Sequence, residues 1–289
     1  MFEFPTQYQV PFDASFQLPD APTTPPADVE SDKRLKKRLK KLNKRLAELQ
    51  RVFYAHDHHA LLLVFQAMDA AGKDGTIRAV LRGVNPAGCQ VYSFKQPSAE
   101  ELDHDFLWRT TRCLPERGRI GVFNRSYYEE VLVVRVHPEY LAGQKLPAEV
   151  SRDTIWEDRL ESIRDHEQHL ARNGVLVLKF WLNVSRDEQK QRFLARLDEP
   201  EKNWKFSVGD VRERQHWDEY MQAYQAALNA TSRAHAPWYA IPADNKKFMR
   251  VAVAEIIVDT LEKLSLEYPE VSDSDLARFE EARQVLEAE

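Results

Sequence analysis

The residues with the clearest chemical potential lie between positions 61 and 77, where the sequence reads LLLVFQAMDAAGKDGTI. An apolar run typical of a strand leads into a turn of small residues, and Gly72 and Lys73 stand at the start of a helical pattern. Small residues let backbone N–H groups face an anion, and a helix start adds its positive dipole end. Lys73 would add a compact positive charge, so the pattern predicts a phosphate-binding loop.

This loop departs from the usual GxxxxGK pattern followed by Ser or Thr. Ala67 stands where the first Gly is expected, and Asp74 replaces the hydroxyl residue that normally binds magnesium, with Thr76 two positions later. Asp69 lies inside the loop, where a carboxylate could hold a magnesium ion directly or through water. Asp74 is expected to head into the helix. An ordinary strand–turn–helix with a glycine bend is the alternative.

A second cluster follows another apolar run, in the segment GRIGVFNRSYYEEVLVVRVHPEYL at 118–141. Asn124 and Arg125 stand at the predicted carboxyl end of a strand, where ligands bind in open α/β sheets. The Arg125 guanidinium could contact two phosphate oxygens. Glu129 and Glu130 follow within a turn. The alternative is a surface arginine followed by an acidic pair at a helix start.

A third cationic segment, RFLARLDEPEKNWKFS at 192–207, places Arg192 and Arg196 on one helical face. Pro200 then interrupts the helix, and Lys202 and Lys205 follow it. These four cations predict a helical lid, at about 192–215, that neutralises phosphates and excludes water. Because acidic residues are interleaved, a solvated helix end is the alternative.

The elements that must position these side chains alternate along the chain. Strands are predicted at 60–66, 89–94, 119–123, 175–184 and 237–243, and helices at 31–56, 74–84, 98–114, 152–174, 185–197, 211–234 and 245–264. Continuous apolar strands between helices indicate a mostly parallel sheet covered on both faces. The sequence therefore predicts one α/β domain over 31–265, with an extended Pro-rich arm at 1–30 and an acidic tail at 266–289.

Composition restricts the class of protein. The net charge of -5 argues against a general nucleic-acid binder, and no apolar run approaches the roughly 20 residues needed to cross a bilayer. The two cysteines offer neither a disulfide framework nor a metal cluster, so a cytoplasmic setting is expected. Residues 31–51 carry ten Lys or Arg. That stretch is either a solvated helical face or a surface that attracts a polyanion.

Several dispersed motifs, in the right order, resemble polyphosphate kinase family 2. The matching pieces are LLLVFQAMDAAGKDGTI, SFKQPSAEELDHDFLWR, GRIGVFNRSYYEEVLVVRVHP and WLNVSRDEQKQRFLARLDEPEKNWKFSVGD, within residues 31–265. The resemblance implies a thymidylate-kinase-like P-loop fold with about five parallel strands and a helical lid. It also implies phosphoryl transfer between inorganic polyphosphate and adenine or guanine nucleotides, with Mg²⁺ or Mn²⁺, in a homodimer or homotetramer.

Together, motifs and resemblance predict the residues of the site. The predicted catalytic residues are Asp69, Lys73, Asn124 and Arg125, with Asp69 also the metal ligand. The predicted phosphate- or nucleotide-binding residues are Ala70, Ala71, Gly72, Asp74, Gly75, Thr76, Arg78, Glu130, Arg192, Arg196, Lys202 and Lys205.

Position 124 bears on the acceptor, because many members of the family carry Asp where this chain has Asn124. The form FNRS followed by an acidic pair resembles the subgroup that phosphorylates both AMP and ADP. Two alternatives stay open. One is an ATP-dependent nucleoside monophosphate kinase of the thymidylate-kinase-like group, and the other is a non-catalytic protein that binds nucleotide or polyphosphate.

Overall fold

The fold is seen in a computed structural model that describes residues 4–204 and 206–289. Its five strands are β1 (Ala60–Gln66), β2 (Cys89–Ser93), β3 (Ile120–Asn124), β4 (Val175–Asn183) and β5 (Trp238–Pro242). They form one parallel sheet in the order β2-β3-β1-β4-β5. The prediction of a parallel sheet of about five strands is confirmed, with each boundary within two residues of the expected one.

Helices connect and cover the strands. They are α1 (Asp32–His56), α2 (Lys73–Val80), α3 (Ala99–Leu102), α4 (Trp108–Thr111), α5 (Val133–Val136), α6 (Ile155–Arg172), α7 (Arg186–Asp198), α8 (Pro200–Asn203), α9 (Val208–Glu213), α10 (Trp217–Thr231), α11 (Lys246–Glu262) and α12 (Asp273–Glu287). From β1, the chain crosses through α2 to β2, whereas from β3 it crosses through α6 in the opposite direction. Right-handed crossovers in opposite directions put their helices on opposite faces of a sheet. None of the described helices is long and apolar enough to cross a membrane.

The terminal segments behave differently from one another. The N-terminal arm packs along the open edge of β5, because the Val10 N–H donates to the Trp238 carbonyl at 2.8 Å and Val10 is fully buried. The C-terminal segment, expected as an acidic tail, contains the exposed helix α12. Its first turn is capped by Ser272, whose hydroxyl accepts from the Asp275 N–H.

Two segments predicted as single helices are each divided in the structure. The predicted helix at 98–114 starts with a Ser98–Glu101 capping box but divides into α3 and α4. Between them, the Asp105 carboxylate accepts a hydrogen bond from the Leu107 N–H at 2.9 Å, a local turn that competes with helical pairing. The predicted helix at 211–234 is also divided, by a 3-10 turn at Arg214–His216 between α9 and α10.

A buried polar network ties the sheet to the helices behind the site. The Lys179 ammonium on β4 donates to the Glu167 carboxylate of α6 at 2.5 Å, and Glu167 also accepts from the hydroxyls of Tyr127 and Tyr128 at 3.0 and 2.8 Å. Lys179 and Glu167 are fully buried. Burial lowers the pKa of Lys179 to about 8 and raises the pKa of Glu167. The network fixes the turn that follows Arg125.

We expect Lys179→Met to lower the free energy of unfolding by about 3–5 kcal/mol, because Glu167 would remain buried without its cation. The double variant Lys179→Met/Glu167→Gln should lose less than the sum of the two single variants. Urea denaturation of the four proteins measures this coupling. Additive losses would show that the two charges do not support each other.

Candidate active site

The predicted phosphate loop joins β1 to α2 at the carboxyl edge of the sheet. Ala70 and Gly72 have positive φ angles of 61° and 108°, which fold the chain back before α2 begins at Lys73. A side chain at position 72 would be strained by this φ and would also meet the Met249 methyl group at 3.4 Å. The N–H groups in the first turn of a helix have no acceptor within it, so they are available to an anion.

Lys73 lies inside the turn that precedes it. Its ammonium donates to the Ala67 carbonyl at 2.6 Å, which holds the side chain across the loop rather than in open solvent. Burial lowers the pKa of Lys73, and the nearby positive charge of Arg125 lowers it further. The ammonium is therefore held at the loop. The negative charge of a bound phosphate would stabilise its protonated form there.

Arg125 meets the loop from the neighbouring strand. Its N–H donates to the Phe65 carbonyl at 3.1 Å, and its guanidinium donates to the Asp69 carboxylate at 2.9 Å. The Arg125 φ angle of 64° is strained for a residue with a Cβ, and such strain occurs at functional sites. The structure thus brings together three predicted catalytic residues, Asp69, Lys73 and Arg125.

Asn124 occupies the end of β3 and contacts the start of α2. Its side-chain amide donates to the Asp74 carboxylate at 2.5 Å and to the Ser93 hydroxyl at 3.4 Å. Asp74 lies in the first turn of α2, as expected, and its side chain faces the end of β3. Two carboxylates, those of Asp69 and Asp74, therefore flank the loop.

Helix α7, at the start of the segment predicted to be a lid, supports the loop from behind. Arg192 is 7% exposed, and its guanidinium donates to the carbonyls of Ala71 and Ala243, each at 2.6 Å. The Gln189 amide donates to the Asp69 carbonyl at 3.0 Å. Arg192 was predicted to bind phosphate, but it is occupied with backbone carbonyls, so its position is that of a loop support.

Other residues predicted to bind phosphate or nucleotide have different surroundings. Thr76 is buried and its hydroxyl contacts the Met249 sulfur at 3.8 Å, so it faces the core rather than the loop opening. Arg78 is exposed on α2. Arg196 pairs with Asp210 of α9 at 3.6 Å. Lys205 and the Lys202 side chain lie outside the described residues.

Glu130 is not brought to the loop. It is 5% exposed, and its carboxylate pairs with the Arg159 guanidinium at 3.2 Å and accepts from the Gln144 amide at 2.6 Å. Its neighbour Glu129 faces the loop instead, 3.8 Å from Arg125. Glu129 rather than Glu130 faces the loop because of the 3-10 turn at Tyr127–Glu130, which directs successive side chains to different sides.

Sequence reasoning missed part of the cavity above the loop. It has a volume of about 270 Å³, and its lining includes Asp69, Arg125, Glu129, Asp210 and Glu213, with Tyr220 and Tyr224. Burial and the Asp69 charge raise the pKa of Asp210, and burial raises the pKa of Glu129. The acidic pair after Arg125 was a usable signal for Glu129, whereas no local motif marks Asp210.

The contrast between the two glutamates is testable. We expect Glu129→Gln to lower kcat by roughly tenfold to hundredfold, because the carboxylate helps orient Arg125. Glu130→Gln should instead lower the free energy of unfolding by about 3 kcal/mol while the rate of the folded enzyme stays near wild type. Initial rates and thermal melting of both variants measure this. A rate loss in Glu130→Gln, with a stability loss only in Glu129→Gln, would assign the catalytic carboxylate to Glu130.

Comparison with known proteins places this architecture. The sequence model of the polyphosphate kinase 2 family matches residues 29–269. An ADP-polyphosphate phosphotransferase of Rhodopseudomonas palustris is 53% identical over 281 residues, 97% of each chain. An AMP/ADP-polyphosphate phosphotransferase of Meiothermus ruber is 44% identical, over 91% of this chain and 95% of that protein.

Solved structures agree with the sequence comparison. The crystal structure of polyphosphate kinase 2 from Arthrobacter aurescens has a TM-score of 0.87 and 39% identity, and the match covers 99% of this chain and 98% of that chain. The overall architecture of this chain is thus shared with that structure. The chain belongs to the polyphosphate kinase 2 family.

Proposed function

We propose that this chain transfers phosphoryl groups between inorganic polyphosphate and nucleotides, from AMP to ADP and from ADP to ATP. The observation that carries this proposal is the meeting of Asp69, Lys73 and Arg125 at one phosphate loop, in a chain of this family. Lys73 and Arg125 would neutralise the charge on the transferred phosphoryl group. The turn between β1 and α2 would hold that group in line between the two substrates.

A divalent cation fits the charges of the site. The described residues contain no cluster of three or more His, Cys, Asp or Glu side chains that could hold a metal. Magnesium needs only one or two carboxylates when substrate phosphates and water complete its ligands. Asp69, which lines the cavity, would supply such a carboxylate to Mg²⁺ or Mn²⁺, and Asp74 in the first turn of α2 is the second candidate. When bound, the cation would reduce repulsion between the phosphates and the four carboxylates of the cavity.

The choice of acceptor is the finer part of the proposal. The name of the Rhodopseudomonas palustris relative refers to ADP, and the name of the Meiothermus ruber relative refers to both AMP and ADP. Asn124 and the following acidic pair favour activity on both AMP and ADP in this chain. We further propose adenine nucleotides as the main acceptors, guanine nucleotides as others, and a cytoplasmic homodimer or homotetramer as the working form.

A donor comparison tests the proposed function. With AMP and magnesium, long-chain polyphosphate should support ADP formation, and ATP should be a poor donor to AMP or dTMP. Chromatography of the nucleotides at early times gives both rates. Strong transfer from ATP, with none from polyphosphate, would favour the ATP-dependent kinase instead.

A further inference from the structure

A second cationic surface lies away from the loop, in the groove between α1, α2 and α11. Its cavity has a volume of about 680 Å³. Five of the lining residues are cationic, and the described lining contains no Asp or Glu: Lys36, Lys40, Lys44, Arg82 and Arg250. A groove whose charged side chains are all positive is suited to an anion with several charges.

These charges are not neutralised by the protein around them. Within residues 4–204 and 206–289, Lys36, Lys40 and Arg82 form no ion pair, and Lys44 reaches only Glu48, at 3.9 Å. The groove is also held in shape, because the buried Asn43 amide donates to the Ala79 carbonyl at 2.9 Å and joins α1 to α2. A fixed groove with unpaired cations does not have to rearrange to bind an anion.

Arg250 connects this groove with the phosphate loop. Its terminal nitrogen lies 3.3 Å from the position of a Cβ on Gly75, in the first turn of α2, and its Nε is buried without a hydrogen-bond partner. Burial lowers the pKa of Arg250, and the positive charges of Arg78 and Arg192 lower it further. Positively charged side chains therefore lie along α2, a helix about 12 Å long, between the loop and the groove.

We propose that this groove, named here the α1–α2 groove, binds the distal part of a long polyphosphate chain whose reacting end lies at the phosphate loop. The inference rests on the proposed function. A linear polyanion of many phosphates can extend along α2 from one site to the other. Nucleic acid fits less well, because the lining formed by the described residues has no aromatic side chain on which a base could stack.

The test compares two variants that each lose two lysines and one arginine. The groove variant is Lys36→Gln/Lys40→Gln/Arg82→Gln, and the control is Arg34→Gln/Lys37→Gln/Lys41→Gln on the other side of α1. For the groove variant, KM for long-chain polyphosphate should rise roughly tenfold, since exposed charge pairs each contribute modestly. Its KM for tripolyphosphate and for ADP should stay at the wild-type value, as should all three constants of the control. Thermal melting confirms folding.

Several results would overturn the inference. An equal rise in KM for the long chain in the two variants would show that the basic surface attracts polyphosphate without a defined site. An equal rise in KM for tripolyphosphate and for the long chain in the groove variant would show damage to the loop. An unchanged KM for the long chain would show that the groove does not bind it. Inhibition of the wild type by single-stranded DNA that is lost only in the groove variant would assign the groove to nucleic acid. A wild type that uses no polyphosphate of any length would instead refute the proposed function.

Discussion

Lys73→Ala is expected to lower kcat roughly hundredfold or more, because a cation that meets developing phosphate charge in a water-poor site has a large effect. Its ammonium already lies across the loop, 2.6 Å from the Ala67 carbonyl, so little movement is needed to reach a phosphate. Initial rates with ADP, magnesium and polyphosphate measure the loss. The exposed Lys37→Ala serves as the matched control and should keep the wild-type rate.

The pH dependence gives this prediction a second measurement. Burial lowers the pKa of Lys73 from its ordinary value of 10.5, so the free enzyme should lose its positive charge at a lower pH than an exposed lysine would. The kcat/KM for polyphosphate should therefore fall as pH rises through that lowered pKa. Lys73→Arg, although slower, should lack this alkaline decline because guanidinium does not titrate in this range. The same decline in both proteins would assign the titration to another group.

Asp69→Asn is expected to lower the rate by roughly hundredfold or more and to remove the response to added magnesium. The amide has almost the same shape, but it loses the charge that pairs with Arg125 at 2.9 Å and the oxygen charge that attracts a cation. The measurement is initial rate against magnesium concentration, with folding checked by thermal melting. A near-normal rate with an unchanged magnesium curve would show that the cation is held elsewhere.

Asn124→Asp is the informative comparison for Asp69→Asn. It should be tolerated far better, since the resemblance to the family implies that Asp is accepted at this position. The amide of Asn124 donates to Asp74 at 2.5 Å, so the new carboxylate would face a like charge unless a cation lies between them. We therefore expect near-normal rates only at higher magnesium concentration. A large loss that magnesium does not restore would show that the hydrogen bond itself is required.

The sequence was most informative where a local pattern determines the structure. The run ALLLVFQ is apolar throughout, and it forms a strand buried along its whole length. Ser98 and Ser185 stand at the first positions of two predicted helices and cap them, because each hydroxyl accepts from an N–H three residues later. Gly72 and Lys73 predicted the turn and the helix start, since few residues permit that backbone conformation.

The sequence was less informative where the direction of a side chain in the folded chain matters. The spacing of Arg192 and Arg196 is the same whether they face phosphate or protein, and only the fold shows that Arg192 donates to loop carbonyls. The choice between Glu129 and Glu130 depends on a 3-10 turn rather than on residue type. Asp210 enters the cavity from α9, and its contribution depends on a long-range contact that no local motif encodes.

The most direct test of the account is whether the purified protein makes ATP from ADP, long-chain polyphosphate and magnesium, with no other nucleotide present. We expect ATP to accumulate from the first time point, together with loss of terminal phosphates from polyphosphate, and expect neither change in Lys73→Ala. AMP formed in amounts equal to ATP, with or without polyphosphate, would instead show that two ADP molecules exchange a phosphoryl group. That result would contradict polyphosphate as the donor.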